Sequence, residues 1–119
     1  MEEVQDLGTR TKAFAIRVIA LARALPRDPV ADVIGRQLLR SGTSVGANYR
    51  SARRAKSRAD FISKMGTVEE EADECGYWFE LLVESGLVKP ARLNPLIAEC
   101  GEIIAIVVAS IRTAKRGRG

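Results

Sequence analysis

Between residues 61 and 82 the chain places Phe61, Met65, Val68, Ala72, Cys75, Phe79 and Leu82 at alternating steps of four and three. Only an α-helix returns those positions to one side, whereas a strand would scatter them over both faces. A helix of that length with one apolar stripe gains most of its stability by packing the stripe on other helices. The remaining apolar stretches show no sustained strand-like alternation, and turn signals divide the chain into four helical segments.

The first helix is expected over about residues 9–25, with Phe14, Val18, Leu21 and Leu25 on one face, until "PRDP" stops it. Asp28 before Pro29 is an N-cap with proline in the first helical position, and it opens a second helix over 29–54. The inner seam of that helix reads Ile34, Leu38, Ser41, Val45, Asn48, Ala52. Ser57 with Asp60 resembles a capping box for a third helix over 58–85, which Gly86 caps. The fourth helix starts within "KPARLNP", either after Pro90 or at Asn94 with Pro95 behind it, and runs over about 91–113. Leu93, Ile97, Cys100, Ile104, Val107 and Ile111 form its seam. Long helices with short connections predict an all-α fold, an antiparallel up-down four-helix bundle with residues 1–119 as one domain and a basic tail over 114–119. The closing "RTAKRGRG" offers four bases as an extra phosphate contact.

The second helix is unusual inside. Gly42, Gly46, Ala47 and Ala52 shave its surface so that a neighbour can come close, at a cost of about 1 kcal/mol per glycine. Ser41, Ser44 and Asn48 form a polar seam in which each buried group must find a hydrogen-bond partner, and a core asparagine can set helix register.

Residues 36–87, "RQLLRSGTSVGANYRSARRAKSRADFISKMGTVEEEADECGYWFELLVESGL", carry a resemblance to a known family. The chain is similar to the bacterial four-helix bundle proteins that include those encoded in intervening sequences of 23S rRNA genes. Arg40, Ser41, Ser44, Asn48, Phe61, Glu74 and Leu81–Leu82 fall at positions that the family pattern favours, and weaker similarity covers the outer helices. The resemblance implies a compact bundle and, by analogy with related proteins, a ring-like homopentamer. It also relates the chain to the accessory protein of diversity-generating retroelements, a basic pentameric bundle that works with nucleic acid and a reverse transcriptase. No enzymatic activity is established for the family. Where many members have "NIAEG", this chain has "NYRSA" at 48–52, so an acid and a glycine are replaced.

Charge is segregated. Residues 36–64 hold Arg36, Arg40, Arg50, Arg53, Arg54, Lys56, Arg58 and Lys64 against Asp60 alone, eight bases and one acid for a net of +7. Residues 65–88 hold seven acids and no base, a net of −7. Arg40, Arg50, Arg53, Arg54, Lys56, Arg58 and Lys64 are the candidate nucleic-acid-binding residues, since arginine and lysine there would bind RNA or DNA backbone with little sequence preference. The competing reading is a solvated helix end whose bases pair with acids of a neighbouring subunit. Tyr49 is the one aromatic residue inside the cluster, which gives little support for base stacking.

The chain contains no histidine, which removes Ser-His-Asp and Cys-His triads and the Glu-x-x-His ligands of di-iron bundles. Residues 42–46 lack the lysine and the preceding strand of a P-loop. Glu71-x-x-Glu74 and Glu99-x-x-Glu102 resemble the paired carboxylates that bind magnesium in helical pyrophosphatases. Helical phase puts Glu71 beside the core and Glu74, Glu99 and Glu102 well outside it, so the four are not expected to converge. No catalytic, metal or cofactor site is expected.

Ile16, Ile19, Leu39, Trp78, Ile103, Ile106 and Val108 fall off the seams. They imply either an interface between copies of the chain or a core wider than the heptad scheme, with Trp78 folded over a helix end. The longest apolar run, "IIAIVVASI" at 103–111, is about half the length of a membrane span, and the N-terminus shows no apolar leader, so a cytoplasmic location without membrane contact is expected. Cys75 and Cys100 are expected as free core thiols. The expected partners are the chain itself, RNA or DNA, or a protein.

Overall fold

The computed structural model of the protein describes residues 6–117. Four helices are present: α1 (Leu7–Ala24), α2 (Pro29–Ala52), α3 (Arg58–Glu84) and α4 (Pro90–Lys115). Their starts follow from local chemistry. The Asp6 carboxylate accepts from the Thr9 backbone N–H at 3.1 Å and the Thr9 hydroxyl at 2.6 Å, so α1 begins two residues before the expected position. Asp28 accepts from the Val30 and Ala31 N–H groups at 2.7 and 3.2 Å, with Pro29 behind it. The Ser57 hydroxyl accepts from the Asp60 N–H at 3.0 Å, and the Asp60 carboxylate accepts from the Lys56 N–H at 3.0 Å, one residue earlier than in a standard capping box. Of the two starts open to α4, Pro90 is used, and Pro95 lies inside the helix. Gly86 and Gly117 take φ of +82° and +78° just past α3 and α4, a backbone conformation that strongly favours glycine.

The helices run up and down in a square: α1 packs on α2 and α4, and α3 packs on α2 and α4. The bundle measures 48 × 24 × 20 Å. Along α3, Met65, Val68, Ala72, Cys75, Phe79 and Leu82 are fully buried, with Phe61 half-buried at the entrance. Phe79 meets Phe14 edge-to-face across the diagonal, ring centroids 6.4 Å apart.

The α1–α2 contact depends on missing side chains. A Cβ at Gly42 would stand 2.7 Å from a Val18 methyl, and one at Gly46 would stand 3.2 Å from the Thr11 hydroxyl. Those glycines let the helices approach until Val18 and Thr11 fill the space. Ala52 is part of the core, whereas Ala47 faces out. Thr11, buried in this contact, returns its hydroxyl hydrogen to the Leu7 carbonyl at 2.6 Å.

The phase of α4 differs from expectation. Leu96 and Ile103 are buried, with Leu93, Cys100, Val107, Ile111 and Ala114, while Ile97 is 38% exposed and Ile104 is half-buried. Because apolar residues surround much of α4, a seam through 97 and 104 and one through 96 and 103 are equally regular in sequence. The helix also runs to Lys115, so the first residues of the expected tail are helical, and Arg118 and Gly119 lie outside the described residues. By length and composition α4 could cross a membrane, with a mean hydropathy of 1.6 over its most apolar window. Its buried stripe is nevertheless the fourth wall of the bundle core.

Candidate nucleic-acid interface

The up-down topology brings the start of α1, the end of α2, the start of α3 and the end of α4 to one end of the bundle. Arg50, Arg53, Arg54, Lys56 and Arg58 are therefore joined there by Arg112, Lys115 and Arg116 from α4, and all of these side chains are exposed. Local contacts mark the junctions. The Arg53 guanidinium lies beside Gly8 of α1, and the Arg58 guanidinium lies beside Gly117 after α4. None of these eight bases forms an ion pair with another described residue.

Two described acids stand at this end, and both are already engaged. Asp6 is held below its ordinary value of 3.8 by the Thr9 hydroxyl and N–H, with the charge of Arg53 adding to the effect. Asp60 is likewise lowered, first by the Lys56 N–H and then by Lys64, whose ammonium lies 2.9 Å from the carboxylate. Lys64, one of the candidate residues, is thus committed to Asp60 one turn earlier. Arg53 is positioned by Tyr49, whose ring centroid lies 5.9 Å from the guanidinium carbon.

Arg40 does not join the cluster. It lies on α2 about 15 Å from Arg50 by helical rise, and it bridges to Glu71 at 3.3 Å and to Glu74 on α3. Glu74 also accepts from the Trp78 indole N–H at 3.2 Å, so Trp78 lies along α3 against Tyr77 and not over a helix end. The second carboxylate pair goes elsewhere. Arg10 on α1 makes a fork to Glu99 at 2.6 and 3.0 Å and reaches Glu102 at 3.3 Å. Glu74 and Glu99 are half-buried beneath their arginines and not well outside the bundle as helical phase suggested. The four carboxylates are divided between two guanidinium groups, and among the described residues no cluster of ligands is placed to hold a metal ion.

Ser41 and Asn48 of the polar seam have local partners, while the half-buried Ser44 hydroxyl bonds to no other described residue. Ser41 is fully buried, donates to the Gln37 carbonyl at 3.0 Å and accepts from the Cys75 thiol of α3 at 3.4 Å. Half-buried Asn48 donates to the Ser44 carbonyl at 2.8 Å on its own helix, so that bond does not set register between helices. Burial pushes the Cys75 thiol up to about 11 and the Cys100 thiol up to about 12, which keeps both protonated and unreactive at neutral pH. The Arg10–Glu99 fork was missed in sequence, because its members are 89 residues apart and no local spacing links them.

The 23S rRNA-intervening sequence protein family matches residues 5–109. A crystal structure of a protein of unknown function from the S23 ribosomal protein family of Bacteroides thetaiotaomicron is 35% identical. It superposes with a TM-score of 0.84 over 89% of this chain and 95% of that one. A comparison with curated proteins gives no match.

Proposed function

The chain belongs to the 23S rRNA-intervening sequence protein family, and on that footing we propose that it is a non-enzymatic, homo-oligomeric bundle that binds the backbone of RNA or DNA through its basic end. The observation that carries this reading is the convergence of eight exposed bases from two stretches of chain, 50–58 and 112–116, at one end, where the two described acids already serve as helix caps. Such a surface would displace the cations condensed on a nucleic-acid backbone without demanding a particular base sequence. Part of the charge has a structural use: Arg50, Arg112 and Lys115 lie in the last turns of α2 and α4, where cations complement the helix dipole. Arg54, Lys56 and Arg58, in and around the turn, have no such role.

Exposed Ile16, Val33, Leu39 and Ile97 support self-association, for which a pentamer in the cytoplasm is the working assembly. A ring would repeat the basic end around its axis and add avidity. A second reading, a protein-assembly scaffold with no nucleic-acid role, is favoured by the exposed acids of α3. Filter binding of labelled RNA and DNA at low salt separates the two. Retention by the wild type that is lost in Arg54→Glu/Arg58→Glu supports nucleic-acid binding, and no retention at low salt leaves the scaffold.

A further inference from the structure

Glu70, Asp73, Glu80 and Glu84 are exposed along α3, and none forms an ion pair or hydrogen bond with another described residue. With Tyr77 they follow steps of three and four, so they form one stripe on the side of α3 opposite buried Val68, Cys75 and Phe79. Tyr77, 54% exposed, stands at the middle of that stripe. The outer surface between α1 and α2 is its counterpart: an open groove of about 1030 Å³ with Gly46 and Ala47 along it. Ile16, 58% exposed, is at one end, and Lys12, Arg50 and Arg53 supply its charge. Asp6 is the groove's one acid, and Thr9 holds its carboxylate.

The two faces are opposite in charge, and the groove is long enough to seat most of the stripe. Glu70 to Glu84 spans about 21 Å of helix, and the groove from Asp6 to Ile16 spans about 15 Å. An aromatic side chain at the centre of the acidic stripe can rest on the small residues of the groove while the carboxylates on either side reach its cations. They cannot meet within one chain, because α1 and α3 lie across the diagonal of the square.

We infer that the α1/α2 groove seats the acidic outer face of α3 from a second copy of this chain. The contact is heterologous, one face against a different face, so successive copies add in one direction until the ring closes. It divides the basic cluster: Arg50 and Arg53 turn to the neighbouring subunit, while Arg54, Lys56 and Arg58 stay clear for phosphate. The inference rests on the homo-oligomer reading and adds which surfaces meet.

Sedimentation and light scattering of three charge variants test it, with far-UV circular dichroism to verify folding. Asp73→Lys/Glu80→Lys and Lys12→Glu/Arg50→Glu should each raise the dissociation concentration at least a hundredfold, and the four changes together should restore assembly. In addition, an Ala47→Cys/Tyr77→Cys chain should form a ladder of disulfide-linked multimers on mild oxidation, the native thiols being buried. A wild-type oligomer that neither pair weakens, and that gives no ladder, overturns the inference while leaving self-association intact. A monomeric wild type overturns both. Protection of a lone Ile16→Cys thiol by RNA, with assembly indifferent to the charge variants, would give the groove to nucleic acid instead and overturn the inference.

Discussion

Two halves of one helix and its exit, residues 41–48 and 50–58, are built on opposite rules. In the first, contacts explain the residues that most depart from a usual helix: Gly42 by Val18, Gly46 by Thr11, Ser41 by Cys75 and the Gln37 carbonyl. In the second, Arg54, Lys56 and Arg58 are exposed, and their side chains pair with no described residue. Glycine and serine in a helix cost stability unless packing returns it, so the first half is accounted for by the fold. The fold does not require the second half. Crowding like charges at one end is mildly unfavourable, which is the pattern expected of a surface kept for a partner.

The sharpest way to break this contrast is to add volume in the first half. Gly42→Leu must displace Val18 in a space where even a Cβ would be too close, and it should lower unfolding free energy by about 3 kcal/mol in urea melts. Arg54→Leu, made on the exposed corner, should stay within about 0.5 kcal/mol of wild type. Equal losses at the two positions would remove the distinction.

A smaller effect separates the two arginine clamps. The Arg10–Glu99 fork is only 22% exposed on each side, so Arg10→Ala should cost about 2 kcal/mol. Arg40 is 48% exposed, and Arg40→Ala should cost less than 1 kcal/mol. Near neutral pH the pH effect at the seam is smaller still. Folding raises the Cys75 and Cys100 thiols from 9.0 to about 11 and 12, so their contribution is complete below pH 9 and is lost as pH rises through those folded values. A disulfide-exchange reagent at pH 8 should therefore modify neither thiol until urea unfolds the chain, and rapid modification of the native protein would contradict that burial.

Sequence made the α3 seam legible because its 3.5-residue spacing admits one phase. It left α4 ambiguous because Leu96, Ile97, Ile103 and Ile104 offer two apolar phases, and only the positions of α1 and α3 choose between them. The α1 start was available in the Asp6-x-x-Thr9 spacing, a local signal that the apolar pattern overshadowed. For the candidate site, the basic run from Arg50 to Arg58 was visible directly. The bases of "RTAKRGRG" at 112–119 were visible as an extra phosphate contact, but neither their place beside Arg50–Arg58 nor the loss of Arg40 to Glu71 and Glu74 was, since both depend on which helices the topology brings together.

Fluorescence anisotropy of labelled RNA and DNA, titrated with wild type and with Arg54→Glu/Lys56→Glu/Arg58→Glu from low to physiological salt, measures the basic end as a working surface. The account predicts a steep linear fall of log affinity with log salt for the wild type. Each base that contacts a phosphate should contribute about 0.9 to that slope, so the triple variant should bind at least tenfold more weakly with a correspondingly shallower slope and an unchanged melting temperature. Wild-type binding that is absent at low salt, or that the triple variant retains in full with the same slope, would contradict it.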